Sequence, residues 1–136
     1  MKMNRHPRVG LGPIFRRDNQ ILLLKRKGSH GAGTWGFPGG GHLEWGENFG
    51  MCVERESKEE IGVVVANFRV VTAVNNVMEN GDLHYVTVVV EVTKWFGEPE
   101  IKEPDKAEAL EWFPMDSLPS PLFEPLENFL REYDYR

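Results

Sequence analysis

The stretch from Gly41 to Val63, GHLEWGENFGMCVERESKEEIGV, carries six carboxylates: Glu44, Glu47, Glu54, Glu56, Glu59 and Glu60. On a helix turning about 100° per residue, Glu56, Glu59 and Glu60 share one face within an arc of about 100°, and Arg55 stands beside Glu59. Two carboxylates about 4 Å apart at an effective dielectric near 20 repel by about 4 kcal/mol. Such crowding is relieved by splaying the side chains into water, by protonating one, or by placing a divalent cation among them. The glycine run Pro38-Gly39-Gly40-Gly41 just upstream favours the cation, because bare backbone can approach a ligand and lend it carbonyl oxygens. Hard oxygen donors, with no Cys or His at ligand spacing, select Mg2+, with Mn2+ as the alternative, over zinc. An acidic, solvated helix face is the plainer reading of the same residues.

The elements that must position these groups follow from periodicity and turn residues. Residues 8–15 and 20–27 flank Arg16-Arg17-Asp18-Asn19 and predict paired strands. Two glycines and Pro13 make the first irregular, which predicts an edge strand or a bulge. Residues 28–34 form a loop. Residues 48–60 predict a helix, with Gly50 costing about 1 kcal/mol relative to alanine and Gly62 as its stop. Valine-rich segments at 63–65, 68–74 and 84–93 predict strands, with Asn80-Gly81 as a hairpin turn. A short strand at 109–113 and a closing helix at 121–133, its Leu122, Leu126, Phe129 and Leu130 at core spacing, complete the pattern. The fold class is α/β (α+β), a mixed β-sheet with helices, in one domain spanning 1–136.

Composition narrows the partners. The 136 residues are 40% hydrophobic and 27% charged, an ordinary globular mixture, and the net charge of −5 offers no field for a nucleic acid polymer. The single cysteine, Cys52, excludes an internal disulfide and a cysteine zinc cluster, and it reads as core packing. No uncharged apolar run approaches the ~18 residues of a membrane helix, and the N-terminus does not read as a signal peptide. A cytoplasmic protein is expected.

The spacing Gly41-x5-Glu47-x7-Arg55-Glu56-Ser57-x-Glu59-Glu60-x-Gly62-Val63 resembles the Nudix box, G-x5-E-x7-R-E-U-x-E-E-x-G-U with U aliphatic. Ser57 departs from U, and the three consecutive glycines exceed the usual Pro-Gly-Gly by one, leaving open which carbonyl faces a metal. Beyond the box, Lys25-Arg26-Lys27-Gly28, Val74-Asn75-Asn76, His84-Tyr85-Val86-Thr87, Glu103-Pro104-Asp105-Lys106, Glu111-Trp112 and Pro121-Leu122-Phe123 are similar to MutT-like Nudix enzymes of plant cytosol and to mammalian nucleotide diphosphatases acting on modified dNTPs. The resemblance covers residues 7 to 130.

This resemblance implies a mixed sheet sandwiched between helices and hydrolysis of a nucleoside diphosphate linked to another moiety. It implies Glu56 and Glu60 as Mg2+ ligands, Glu59 as a further ligand or as the base for the attacking water, and Gly41 as a carbonyl donor. Glu59, Glu56 and Arg55 are the expected catalytic set, Arg55 either orienting Glu59 and Glu47 or touching substrate. Glu108 is the expected acid from outside the box, with Glu103 as its alternative. Arg26 and Lys25 would hold phosphates, and Phe37, His84, Thr87 and Phe123 would line the base slot. The expected substrate is a nucleoside triphosphate, including an oxidised or non-standard dNTP, cleaved to monophosphate and pyrophosphate. The alternatives are a diphosphate substrate (nucleotide sugar, ADP-ribose or isoprenyl diphosphate) and a sensor that binds nucleotide without hydrolysis. A homodimer through exposed Trp95 and Phe96 is a further expectation.

Overall fold

The computed structural model describes residues 5–28 and 30–136. Seven strands and two helices follow in the order β1 (Arg8–Arg17), β2 (Gln20–Arg26), β3 (Trp35–Gly36), β4 (Gly41–His42), α1 (Phe49–Ile61), β5 (Val64–Met78), β6 (Leu83–Phe96), β7 (Ala107–Pro114) and α2 (Glu124–Glu132). A 3-10 turn, Glu79–Gly81, joins β5 to β6 where the Asn80-Gly81 signal placed a hairpin, with Asn80 in the left-handed region. The sheet runs β3-β2-β1-β6-β5, with β4 added to β1 and β7 to β2. It is mixed: β1 and β6 are parallel and the other pairs antiparallel. No helix is long and apolar enough to cross a membrane among the described residues.

One face of the sheet packs Leu11, Phe15, Val88 and Val90 against Cys52, Val53 and Ile61 of α1. The other packs Ile14, Val74 and Val89 with Leu126 and Phe129 of α2. The sandwich expected from the resemblance is therefore present, with both helices anchored by fully buried apolar side chains. Burial at roughly 1.5–3 kcal/mol per large apolar side chain holds α1 against the sheet.

Three expectations need correction. β1 is central rather than an edge, flanked by β6 along Arg8–Phe15 and by β4 and β2 on its other side. The Val9 carbonyl accepts from Leu43 on the β4 side. By strand alternation Pro13 turns its nitrogen to that side too, between the Gly10–Leu11 pairing with β4 and the Arg16–Arg17 pairing with β2, where no ladder bond is required. Secondly, 64–65 and 68–74 belong to one strand, β5, which begins one residue after the expected Val63 and whose register shifts at Val65/Asn67, Asn67/Phe68 and Val70/Thr72 absorb the residues that looked like a break. Thirdly, the closing helix starts at Glu124, because the preceding residues pair with β3: Trp35 N–H donates to the Pro121 carbonyl at 3.0 Å, and Phe123 N–H to that of Trp35 at 2.8 Å. Trp95 is not a free surface aromatic either. It packs edge-on against Phe15 and stacks on Trp112, while Phe96 is exposed.

Candidate active site

The helix that carries the acids is fixed at both ends. Asn48 caps α1 by accepting from the Met51 N–H at 2.8 Å, and Gly62 ends it in the left-handed conformation. The residue choice that looked least suited to the box, Ser57, has a structural reason. It is fully buried, and a Cβ on Gly39 would stand 2.6 Å from its Oγ, so the glycine loop lies directly on the helix at this point. Gly39 also takes φ +70°, a conformation that favours glycine. A larger aliphatic residue at 57 would push the loop away.

That close approach brings backbone to carboxylate. The Gly39 N–H donates to Glu60 Oε1 at 3.0 Å. A Cβ on Gly41 would land on the Glu56 carboxyl group, so only glycine leaves room for it. Arg55 gathers the remaining acids: its Nε and Nη2 donate to the two oxygens of Glu47 at 2.8 and 2.9 Å, its Nη1 to Glu56 at 2.7 Å, and Glu59 lies 3.7 Å away. The Glu44 N–H donates to Glu47 as well, at 2.9 Å. The loop before α1 is thereby fastened to the helix through one bidentate pair.

Electrostatics separates these acids. Hydrogen bonding from Arg55 holds Glu47 down to about 2. Burial pushes Glu60 up to about 7, with the charge of Glu56 adding to the effect. Glu56 is also raised by burial, against the pull of Arg55. Cys52, buried beneath the loop, is pushed up to about 12 and stays a thiol, as core packing requires.

Glu56 and Glu60 open into a cleft of about 560 Å3 together with Gly40, Gly41 and Glu103. Glu59 is half exposed and is not among the residues that line it. Among the described residues no three His, Cys, Asp or Glu side chains already stand as a cage. The donor set nonetheless fits a hard dication: two desolvated carboxylates repel each other, and glycine backbone lies against both.

The non-box acids in the cleft are Glu103 and Asp105, while Glu108 lies outside it on β7, 3.6 Å from Lys25. Lys25 lies outside too, over the Trp35 ring, whereas its neighbour Arg26 reaches in. Arg26 donates to the His30 carbonyl at 2.9 Å and covers the Phe123 ring at 4.0 Å. Phe37, Thr87 and Phe123 line the cleft together with Met78, Leu83 and Tyr85. His84 is not there: it bonds Asn75 at 2.6 Å on the exposed side. Strand alternation accounts for both absences, since Leu83, Tyr85 and Thr87 share a face that His84 cannot join, and Lys25 and Arg26 must diverge. Met78, Leu83 and Tyr85 were not singled out from the sequence, although stepping by two from Thr87 finds the last two.

Residues 4–133 match the NUDIX domain. The chain is 31% identical over 128 residues to an ADP-ribose pyrophosphatase of Methanocaldococcus jannaschii, covering 94% of this chain and 73% of that protein. It is 30% identical over 118 residues to an 8-oxo-dGTP diphosphatase of Escherichia coli, covering 86% and 87% respectively. The crystal structure of a MutT NUDIX hydrolase from Burkholderia pseudomallei superposes with a TM-score of 0.85 at 39% identity, over 91% of this chain and 98% of that one. The match thus spans nearly the whole chain, including the acids of α1 and the glycine loop laid against them, and the protein belongs to the Nudix hydrolases, enzymes of phosphoanhydride bonds.

Proposed function

We propose that this Nudix hydrolase is a Mg2+-dependent pyrophosphohydrolase of nucleoside triphosphates, oxidised or otherwise non-standard dNTPs among them, releasing monophosphate and pyrophosphate. The observation that carries the reading is one cleft lined both by acids, Glu56, Glu60 and Glu103, and by the rings of Phe37, Tyr85 and Phe123, with Arg26 laid on Phe123. A polyphosphate tail suits the acids through a shared cation, and a flat base suits the rings.

Glu56, Glu60 and glycine backbone would hold Mg2+, which when bound offsets phosphate charge and lowers the pKa of a coordinated water. Arg26 binds a phosphate oxygen, and its guanidinium, already laid on Phe123, keeps the tail in line with the base. Water oxygen attacks phosphorus, the phosphoanhydride P–O bond breaks, and the departing oxygen keeps the electron pair. Glu59, half exposed next to Glu60 on α1, takes the proton from water and passes it to solvent. Arg55 acts through other residues, holding Glu56 and the loop acid Glu47 in place.

A second reading, hydrolysis of ADP-ribose, is favoured by the archaeal relative named for that activity. A panel of dGTP, oxidised dGTP, dCTP, ADP-ribose and geranyl diphosphate with Mg2+, ranked by kcat/KM, separates the two. Pyrophosphate release from a triphosphate supports the first. Turnover of ADP-ribose with none of any triphosphate overturns it.

A further inference from the structure

Behind Thr87, in the wall of the cleft, lies a chain of side-chain hydrogen bonds that none of the cleft acids touches. Arg131 Nη2 donates to Asn128 Oδ1 at 2.6 Å, Asn128 Nδ2 to Asn76 Oδ1 at 2.8 Å, and Asn76 Nδ2 to Thr87 Oγ1 at 3.0 Å. Asn76 is fully buried, Asn128 is 7% exposed and Thr87 6%. Two buried amides, 52 residues apart in sequence, are an unusual use of core volume, since each is costly unless fully paired.

The chain runs in one direction only, because both ends are obligate. A guanidinium donates and never accepts, so Arg131 turns the Asn128 oxygen toward itself. The Val74 carbonyl accepts and never donates; Asn76 Nδ2 also gives it a hydrogen at 3.3 Å. Reversing the amides would set oxygen against oxygen at Val74 and nitrogen against nitrogen at Arg131. Thr87 Oγ therefore receives a hydrogen from Asn76. Its own proton has no acceptor among the described residues, and Thr87 lines the cleft beside Phe37 and Tyr85.

We propose that Arg131, Asn128 and Asn76 are positioning residues that present the Thr87 hydroxyl as a hydrogen-bond donor to the base, so that the slot selects a base edge bearing a carbonyl oxygen over one bearing an amino group. This rests on the cleft receiving a nucleotide as described above and narrows it to keto bases. The carbonyl accepts the Thr87 proton. An amino group there would point hydrogen at hydrogen in a desolvated site, a mismatch that hydrogen-bonding pockets reject strongly.

The test compares binding of dIMP and dAMP, which differ in this respect at C6, by NMR titration in EDTA. Wild type should bind dIMP about tenfold more tightly, the effect of one hydrogen bond. Asn128→Asp can only accept, so it obliges Asn76 to flip and leaves Thr87 donating inward with its lone pairs toward the base; the preference should fall to unity or invert. Arg131→Lys, still a donor, should keep it. Thr87→Val, which leaves the asparagines in place, should abolish it without inversion. Thermal melts identify any variant that fails to fold, and the valine variant then decides alone. Equal or undetectable binding of both monophosphates by wild type overturns the proposal, as does an unchanged ratio in Thr87→Val. Turnover of dITP with Mg2+ is measured separately: its absence overturns the triphosphatase reading, while the binding ratio still judges Thr87.

Discussion

Glu60→Gln should make the metal-free protein more stable while removing its activity. Burial raises the Glu60 carboxyl from 4.5 to about 7, so the folded protein holds a proton there that the unfolded chain releases. A raised folded value stabilises at pH below 4.5, and that contribution is lost as pH climbs through 7. At pH 8 the ionised group then costs about 3 kcal/mol, from 1.36 kcal/mol per pKa unit; at pH 5, with the group protonated in the folded state, the cost is under about 1 kcal/mol. Glutamine retains the oxygen that accepts from Gly39 and carries no charge to desolvate. In urea denaturation with EDTA at pH 8 the variant should therefore exceed wild type by about 3 kcal/mol, or roughly 10 °C in Tm for a chain of this size, and the gap should nearly close at pH 5. Added Mg2+ should stabilise wild type and not the variant, and the variant's kcat should fall by orders of magnitude. A variant no more stable than wild type at pH 8, or a gap that widens toward pH 5, would refute the argument.

Gly41→Ala places a methyl group on the Glu56 carboxyl; kcat/KM should drop about a hundredfold, the effect of misplacing a ligand by about 1 Å, with the melting curve retained. Arg55→Lys loses the fork that grips Glu47 and reaches Glu56, so turnover should fall ten- to a hundredfold. The Glu47 carboxyl, followed by NMR titration, should move up from about 2. The Ser57 hydroxyl is buried without a partner among the described residues: Ser57→Ala should stabilise by about 1 kcal/mol, whereas Ser57→Leu, forced against Gly39, should destabilise by about 1–3 kcal/mol, both read by urea denaturation.

What could be read in advance was local. Residues 48–60 announce their helix through an acidic face and a terminal glycine, and both are where the spacing put them, while Asn48 turns out to be the cap rather than the first helical residue. Segments whose state depends on distant partners were misjudged. Pro13 and its glycines looked like an edge because strand propensity takes no account of which side of a strand needs its N–H groups. Pro121-Leu122-Phe123 had helical spacing but were taken by β3. Glu103 rather than Glu108 entered the cleft because the loop after β6 folds back over α1, where Lys102 N–H meets the Glu60 carbonyl, a turn no local period encodes. His84 and Lys25 were avoidable choices, since alternation along β6 and β2 already assigns them to the wrong faces. Asn76 and Asn128 could not have been paired from sequence at all: nothing in either neighbourhood points to the other.

The outermost strand, β5, ends the sheet with its main chain bare on one side, and fifteen residues of uninterrupted ribbon would offer another molecule's strand a template. Its three register breaks kink that ribbon into pieces too short to zip onto. A deletion that straightened it by removing the extra residue near Asn67 would give the enzyme a continuous edge through which copies of it grow sheets.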